Sequence, residues 1–432
     1  MWAKARDQRL RGDSNARITA PPMRVSPESS PTLPVARHLH MVRYEIRGPL
    51  ARRAQELERD GYEVIKLNIG NPAAFGFRTP ETMRIATIEN LSEAEGYCHQ
   101  KGIFPAREAV VMDTQTQGIA GVTAEDVFIG NGVSELILMT MEALLEPGDE
   151  VVMPAPDYPL WTAAVVITGG KPVYYSCRPE AGFIPDPDEI ARLVTPRCKA
   201  LVLINPNNPT GAVYPREVVE RFVQIAEENQ IVLFSDEIYN RILYDGAQHV
   251  PVATLCRDTL CATFGGLSKV YRACGFRTGW VFFSGRKDHA TDYLNCLELL
   301  ASLRLCANVP GQWAVQTALG GVQSIYELTA PTGRLGRQRQ ALLQAVANSR
   351  YLTVQKPMGA FYAFVGVRTD NFPSFDDSEF AMALLERQHV LVVPGSSFNV
   401  DYKTHFRVTF LPDEETLLNV FARIDALLAE WK

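Results

Sequence analysis

One lysine, Lys269, follows directly after an apolar, β-rich run that ends in Gly265-Gly266. Eight residues later comes Arg277, which stands close to two further glycines. Burial disfavours the ammonium form of a lysine and so lowers its pKa. An amine that is free at neutral pH can form a Schiff base with an aldehyde. The stretch therefore indicates a lysine that bonds to a carbonyl group, although a solvated lysine in a glycine loop fits it equally well when it is taken alone.

Candidate donors for a phosphate group occur in the same chain. Gly132-Val133-Ser134 opens a helix directly after a predicted strand, where free amides and the helix dipole favour an anion. Arg277 adds a bidentate donor, and Ser268 and Tyr97 add hydroxyl groups. A glycine turn of this kind is weak evidence by itself because such turns are common. An amine that binds an aldehyde, together with a phosphate site, describes pyridoxal phosphate.

Four side chains at predicted strand ends suit the ring of that cofactor. Asp236 ends an apolar strand, where a carboxylate is costly to bury without a cationic partner such as a protonated pyridine nitrogen. Asn208 and Tyr239 are candidates to bond the phenolic oxygen of the ring, and Tyr158 suits stacking on its face. The alternatives are a capping aspartate, a turn-forming asparagine in NPNNPTG and a tyrosine that packs in the core.

Arg407 lies in an alternating strand, HFRVTF, near the end of the chain. The guanidinium fork matches a carboxylate bidentately, so Arg407 is a candidate to hold the carboxylate of a substrate. Taken alone, the pattern favours a surface arginine on the polar face of an edge strand. The other motifs must decide between these interpretations.

The elements that position these residues form a long α/β alternation. Continuous apolar strands separated by helices indicate a mainly parallel sheet sandwiched by helices. In such a sheet the ligand lies beyond the carboxyl ends of the strands, and there the candidate residues occur. The pattern then changes to three long helices, predicted for 287–306, 309–328 and 334–348, and to a mixed tail that indicates a smaller α+β domain.

Composition excludes several classes of protein. The 432 residues exceed one ordinary domain. A net charge of −6 and a pI of about 5.8 argue against nucleic acid or an anionic membrane as the main partner. No apolar run approaches the length of a membrane span. The eight cysteines form no CxxC pair and no Cys/His cluster, which predicts a cytoplasmic protein with unpaired thiols and without a metal site.

The motifs APDYP, NPNNPTG, SDEIY, SK-(x7)-R and FRVTF occur in this order in the chain. Together they resemble the fold-type I pyridoxal-phosphate aminotransferases, and the resemblance extends from about Val42 to the end. The segments YEIRGP, LNIGNPAAFGF and GNGVSELI are most similar to bacterial glutamate–pyruvate (alanine) aminotransferases. The resemblance implies pyridoxal 5'-phosphate as cofactor and L-alanine with 2-oxoglutarate as substrates. It also implies a homodimer with shared active sites.

The resemblance implies a role for each residue toward the cofactor. Lys269 is similar to the Schiff-base lysine and Asp236 to the partner of the pyridine nitrogen. Asn208 and Tyr239 resemble the partners of the phenolic oxygen. Arg277 resembles a phosphate ligand. Tyr97 is similar to a tyrosine that reaches the phosphate in the neighbouring subunit.

The resemblance also implies which residues hold the substrate. Arg407 resembles the arginine for the α-carboxylate, with Asn208 and the backbone of Gly70 assisting. Tyr44 and Arg47 belong to a segment that closes over the site as a mobile arm. We expect Tyr44 to cover the pocket and Arg47 to serve the distal carboxylate of glutamate, although Arg47 pairing with a surface acid fits the sequence equally well.

Two residues depart from the pattern of the family. Gly266 and Val133 stand where many relatives have a hydroxyl side chain. Phosphate binding must therefore depend more on backbone amides, Ser134, Ser268 and Arg277.

We expect four regions along the chain. Residues 1–40 form a disordered N-terminal extension, and 41–74 form an arm and a helix of the small domain. Residues 75–310 form the large cofactor-binding domain, and 311–432 form the small C-terminal domain.

Other functions with similar motifs stay open. An aminotransferase of other or broad specificity, or a pyridoxal-phosphate Cβ–S lyase, would share nearly all these residues. A transcription regulator with an aminotransferase-like domain would need a DNA-binding domain, for which residues 1–40 are too short. A nucleotide-binding enzyme is disfavoured because neither GxGxxG nor GxxxxGK[ST] occurs.

Overall fold

A seven-stranded sheet formed from residues 127–285 lies at the centre of the fold. The computed structural model describes residues 33, 36, 38, 39, 42, 48–372 and 374–431. Within these residues the strands are β1 (Ile65–Lys66), β2 (Val127–Gly130), β3 (Glu150–Ala155), β4 (Lys171–Ser176), β5 (Cys198–Ile204), β6 (Val232–Asp236), β7 (Leu260–Gly266), β8 (Gly279–Gly285), β9 (Leu352–Val354), β10 (Tyr362–Val367), β11 (Val390–Leu391), β12 (Val393–Pro394) and β13 (His405–Thr409).

Helices alternate with the strands from β2 to β6, and several consecutive helices lie between β8 and β9. In the same described ranges they are α1 (Pro49–Arg59), α2 (Glu81–Glu89), α3 (Phe104–Thr116), α4 (Val133–Leu144), α5 (Pro159–Ile167), α6 (Pro187–Leu193), α7 (Arg216–Asn229), α8 (Thr291–Leu303), α9 (Val309–Gln312), α10 (Ala314–Gly320), α11 (Ile325–Thr329), α12 (Arg334–Asn348), α13 (Asp377–Gln388) and α14 (Glu414–Ala429).

The strand order of the large sheet is β2-β8-β7-β6-β5-β3-β4. β8 runs antiparallel to both of its neighbours, whereas the other neighbouring pairs are parallel. The prediction of a mainly parallel α/β sheet is therefore confirmed.

Both faces of the large sheet are buried, which explains why its strands are continuous apolar runs. Along β5, Val202 and Ile204 belong to a hydrophobic cluster that contains residues of α4, α5 and α8. Leu201 and Leu203 alternate with them and belong to a second cluster, which contains residues of α6 and α7. Successive side chains of a strand point to opposite faces, so helices on two sides demand apolar residues at nearly every position.

A second sheet is antiparallel and holds the C-terminal part of the fold together. Its strand order is β12-β13-β10-β9. β1 pairs in parallel with β11, which joins the first described strand to this C-terminal part. This combination of antiparallel strands and helices agrees with the predicted α+β pattern. The domain boundaries at residues 74 and 310 stay predictions, and the expected extension 1–40 lies almost entirely outside the described residues.

The predicted extents of two long helices are wrong. In place of a helix over 287–306, α8 covers only Thr291–Leu303. The helix predicted for 309–328 is divided into α9, α10 and α11. Gly320 and Gly321 end α10, and Gly321 adopts an extended conformation that stops the helix. None of the helices within the described ranges is long and apolar enough to cross a membrane.

Candidate active site

A cleft of about 660 Å³ opens at the carboxyl ends of the central strands. Its size suits a small organic ligand. The predicted residues that line it are Gly70, Val133, Ser134, Tyr158, Asn208, Asp236, Tyr239, Ser268, Lys269, Arg277 and Arg407. Residues that are hundreds of positions apart in the chain thus border one cavity.

Three predicted residues are not among those that line the cleft. Tyr97 lies in the loop before α3 and is 82% exposed. Its predicted role belongs to a neighbouring subunit, and that role stays a prediction. Tyr44 and Arg47 lie outside the described residues.

Lys269 follows β7 and is half-buried in the cleft. Its Nζ donates a hydrogen bond to the carbonyl oxygen of Gly70 at 2.8 Å. At Gly70 an added Cβ would lie only 1.9 Å from the hydroxyl oxygen of Tyr362. A side chain at position 70 is therefore excluded, and the backbone can approach the lysine closely.

Asp236 is the last residue of β6 and is 3% exposed. Trp161 Nε1 donates to its Oδ2 at 3.1 Å, and the backbone N–H of Ile238 donates to its Oδ1 at 3.3 Å. Burial raises the pKa of Asp236 to about 6, and these two hydrogen bonds oppose that rise. Among the described residues, no cation forms an ion pair with Asp236. The site therefore fits a cationic group such as a protonated pyridine nitrogen.

The loop before α4 and the loop before β8 come together beside the cleft. Gly132 has a φ of +81°, and an added Cβ there would lie 2.5 Å from Nη2 of Arg277. At Gly279 an added Cβ would lie 2.6 Å from the backbone nitrogen of Val133. These two glycines let the guanidinium group lie at the N-terminus of α4, where free amides and the helix dipole favour an anion.

Arg277 is fixed in this position by the backbone. Its Nη1 donates to the carbonyl oxygen of Cys274 at 2.9 Å, and its Nη2 donates to that of Asn131 at 3.2 Å. Ser134 and Ser268 also line the cleft. The donor set fits a phosphate group without the two hydroxyl side chains that are missing at Val133 and Gly266.

Arg407 is 2% exposed and lies on β13, between β10 and β12. The interpretation of a surface arginine on an edge strand is therefore wrong. Its Nη1 donates to Oδ1 of Asn208 at 3.0 Å, and its Nη2 donates to the carbonyl oxygen of Asn68. The rings of Tyr362 and Phe398 lie against the guanidinium group, with centroids 4.6 and 4.9 Å from Cζ.

The charge of Arg407 has no protein counterpart in the described part of the chain. No carboxylate there forms an ion pair with it, and its buried Nε has no hydrogen-bond partner. A buried cation without an anion is costly. The pocket around Arg407 thus fits a ligand that carries a carboxylate.

Sequence reasoning missed two aromatic residues that form hydrogen bonds with the predicted ones. Tyr362 lines the cleft and accepts a hydrogen bond from the hydroxyl of Tyr239 at 3.3 Å. It starts the apolar strand β10, where an aromatic residue is most simply assigned to the core. Trp161 bonds Asp236 from the apolar helix α5, and its indole N–H was the only local signal of a polar role.

The cleft thus brings together an amine, a carboxylate and two guanidinium groups. Asp236 ends β6 and Lys269 follows the neighbouring parallel strand β7, Arg277 lies at the N-terminus of α4, and Arg407 lies on the second sheet. The arrangement fits a cofactor with a phosphate, an aldehyde and a cationic ring nitrogen, beside a substrate carboxylate. We take it as a binding site for pyridoxal 5'-phosphate.

Known proteins are similar to this chain in sequence and in fold. The family model for aminotransferase class I and II matches residues 62–424. The chain is 48% identical to glutamate-pyruvate aminotransferase AlaA of Escherichia coli K12 over 388 residues, which is 89% of the chain and 96% of the relative. It is 44% identical over 395 residues to an alanine aminotransferase of Mycobacterium tuberculosis, covering 91% of the chain and 92% of the relative.

Among solved structures, an aminotransferase from Escherichia coli is similar with a TM-score of 0.91 and 46% identity. The alignment covers 93% of this chain and 99% of the other. The similarity therefore includes both sheets and the cleft between them.

Proposed function

The chain belongs to the class I and II aminotransferases of fold-type I, and on that premise we propose that it converts L-alanine and 2-oxoglutarate to pyruvate and L-glutamate. Enzymes of this family use pyridoxal 5'-phosphate to move an amino group between an amino acid and a 2-oxo acid. One observation supports this proposal most directly: Lys269 and the buried Arg407, which forms no ion pair with any described carboxylate, border the same cleft. Similarity to enzymes named for alanine and for glutamate–pyruvate supports the choice of substrates.

In this proposal Lys269 and Asp236 serve the chemistry. When it is bound, pyridoxal phosphate supplies an aldehyde that takes up an amino group and a ring that accepts electrons. Lys269 Nζ takes the proton from the α-carbon of the substrate and later returns it, as general base and then general acid. Asp236 holds the ring nitrogen protonated through its buried carboxylate.

The remaining residues of the cleft orient the two ligands. The amide of Val133, the hydroxyls of Ser134 and Ser268 and the guanidinium of Arg277 bind the phosphate. Tyr239 and Asn208 bond the phenolic oxygen, and Tyr158 stacks on the ring.

The substrate is held at its α-carboxylate by Arg407, with Asn208 and the backbone of Gly70 assisting. Asn208 already accepts a hydrogen bond from Nη1 of Arg407, so the two side chains are positioned together. Tyr44 and Arg47, which lie outside the described residues, are proposed to cover the pocket and to serve a distal carboxylate.

We further propose a cytoplasmic homodimer in which Tyr97 reaches the phosphate in the neighbouring subunit. The loop that contains Tyr97 is bonded to α8 through Gln100, whose Nε2 donates to Oε1 of Glu298 at 2.8 Å. Close to this contact, Leu303 and Leu305 are 73% and 53% exposed. Exposed apolar groups beside an exposed tyrosine support an interface between subunits. The unpaired cysteines support a reducing compartment.

Single-turnover spectroscopy on a panel of amino acids tests the proposed function. L-alanine and L-glutamate should convert the bound aldehyde form of the cofactor to its amine form, and pyruvate and 2-oxoglutarate should restore it. Release of pyruvate from a sulfur amino acid without this keto-acid-dependent return would instead indicate a lyase.

The lysine assignment has its own control in the same experiment. Borohydride should fix the cofactor to the peptide that contains Lys269 in the wild type, and not in Lys269→Ala. Attachment to another lysine would contradict the assignment.

A further inference from the structure

Asn131 lies in the turn between β2 and α4 and is hydrogen-bonded at each of its four polar groups. Its backbone N–H donates to Oε2 of Glu135 at 2.7 Å, and its Nδ2 donates to Oε1 of the same carboxylate at 2.8 Å. Its Oδ1 accepts a hydrogen bond from the backbone N–H of Asn308 at 2.8 Å. Its carbonyl oxygen accepts one from Nη2 of Arg277 at 3.2 Å. Glu135 thus holds the turn, and the turn holds Arg277.

The contact between Glu135 and Asn131 fixes both the backbone and the side chain of the asparagine. Glu135 lies in the first turn of α4, directly after Ser134, which lines the cleft. At Gly130 an added Cβ would lie 2.5 Å from Cγ of Leu136 and 3.1 Å from Oε2 of Glu135. The lack of a side chain at position 130 therefore lets the first turn of the helix pack closely against the preceding turn.

Asn308 joins the same turn to the loop that contains Arg277. While its backbone N–H bonds Asn131, its Nδ2 donates to the carbonyl oxygen of Phe276 at 2.6 Å. At Gly311 an added Cβ would lie 2.5 Å from that carbonyl oxygen and 2.6 Å from Nδ2 of Asn308. The two loops of the phosphate site are therefore connected twice, once at Arg277 and once at the residue before it.

Charge alone does not explain a carboxylate in this place. Glu135 follows the residues that we assign to the phosphate, and a negative charge there opposes the binding of an anion. Arg304 offsets part of this charge, because its Nη1 lies 3.4 Å from Oε2 of Glu135 and its Nη2 donates to the carbonyl oxygen of Ile129 at 2.7 Å. The hydrogen bonds to Asn131 are thus the contribution of Glu135 that favours phosphate binding.

We propose that Glu135 is a positioning residue for the phosphate of the cofactor: it holds Asn131 so that the Asn131 carbonyl oxygen keeps the guanidinium group of Arg277 at the N-terminus of α4. The bonds to Asn131 and Cys274 use two of the five N–H groups of Arg277. This inference rests on the proposed function, because it needs the phosphate of pyridoxal phosphate beside Arg277.

The test compares the binding of pyridoxal phosphate and of pyridoxal to the cofactor-free enzyme, measured by absorbance. The two ligands share the ring and the aldehyde and differ in the phosphate group. In Glu135→Gln one acceptor oxygen becomes an N–H donor that faces Asn131, so one of the two bonds is lost. The dissociation constant should rise about tenfold for pyridoxal phosphate and less than about twofold for pyridoxal, because Arg277 serves only the phosphate.

Two further variants support this comparison. Asn131→Ala removes the side-chain bonds to Glu135 and Asn308, and it should show the same selective loss, which provides an independent test if Glu135→Gln does not fold. Glu142→Gln is the matched control, because it removes a carboxylate from an exposed position of the same helix. It should change neither dissociation constant.

Inorganic phosphate gives a second measurement that needs no aldehyde. A ligand that binds the folded state stabilises it, so phosphate should raise the urea midpoint of the cofactor-free wild type and of Glu142→Gln. The increase should be smaller in Glu135→Gln. Equal increases in all three proteins would contradict the proposal.

Other results in the binding experiment would also overturn it. Weaker binding of both ligands by a similar factor would show that Glu135 only supports the fold. Tighter binding of pyridoxal phosphate in Glu135→Gln would show that the charge dominates, and unchanged constants would show that Arg277 does not depend on Asn131. Failure of the proposed function is separate, since it would appear in the wild type as absence of cofactor fixed to Lys269.

Discussion

The amine of Lys269 donates a hydrogen bond to the carbonyl oxygen of Gly70 at 2.8 Å, across 199 residues of chain. The contact joins the loop after β7 to the segment after β1. It holds the amine in the cleft, which Tyr362 also lines. The geometry of the lysine therefore depends on the absence of a side chain at position 70.

Gly70→Ala should damage the site rather than the whole fold. The new Cβ would meet the hydroxyl of Tyr362 at 1.9 Å and force that ring away from Tyr239 and Arg407. Overpacking of this kind costs about 1–3 kcal/mol, so kcat/KM should fall by roughly 5- to 150-fold. Gly320→Ala is the control, because its Cβ would meet no atom within 4 Å. Equal activity of the two variants would refute the argument.

Asp236→Asn should stabilise the cofactor-free protein at high pH. The pKa of Asp236 is raised from 3.8 to about 6 in the folded state, so the folded protein binds more protons than the unfolded chain between these values. Stability then decreases as the pH rises through this window, and the ionised group costs on the order of 3 kcal/mol above it.

Urea denaturation at pH 8 and pH 5 checks this prediction. Without cofactor the variant should be the more stable protein at pH 8, and its advantage should shrink at pH 5. With pyridoxal phosphate present, the wild type should be stabilised more than the variant because only its carboxylate pairs with the ring. A variant that is less stable than the wild type at pH 8 without cofactor would contradict the cost assigned to burial.

Tyr97 should act across the interface between subunits. Lys269→Ala and Tyr97→Phe can be mixed and allowed to exchange subunits. Each hybrid would contain one site with both changes and one site with neither, so activity should recover toward half of the wild-type value per dimer if the sites act independently. Proven hybrids that stay as inactive as the parents, or a stably active monomer, would argue against shared sites.

Arg47→Ala should distinguish long substrates from short ones. If Arg47 contacts the distal carboxylate, kcat/KM for glutamate and 2-oxoglutarate should fall. The loss of transition-state stabilisation calculated from that fall should be roughly 1.5–3 kcal/mol, as for one charged hydrogen bond. The values for alanine and pyruvate should change little. An equal loss on both pairs would show that Arg47 supports the arm or the fold.

The large sheet and most of the cleft could be predicted from sequence for one reason. Strands that are buried on both faces are apolar throughout, so polar residues at their ends are conspicuous, and parallel strands bring such residues to one edge. Lys269 and Asp236 were identified in this way. Asn208 and Arg277 lie in loops at the same edge of the sheet.

Residues whose roles depend on distant contacts could not be predicted in that way. Tyr362 belongs to an apolar strand, and its contact with Gly70 is visible only in three dimensions. The strand around Arg407, taken alone, favoured a surface position because alternation does not reveal which strand lies at an edge, and only the other motifs pointed to a binding role. The single helix predicted for 309–328 was wrong partly because Gly320 and Gly321 interrupt its apolar pattern.

The antiparallel direction of β8 affects how the groups for the cofactor and for the substrate are connected. Parallel neighbours require a long crossover, but β7 and β8 are antiparallel, so the chain turns back at the same edge through residues 267–278. Lys269 and Arg277 therefore both lie in the short connection between the hydrogen-bonded strands β7 and β8. The length of this connection fixes the distance between the amine and the guanidinium group. Arg407 is mounted on a different sheet. The spacing of the two proposed cofactor-binding groups is thus set within the large sheet, and the contact between Asn208 and Arg407 connects that sheet's site to the second sheet.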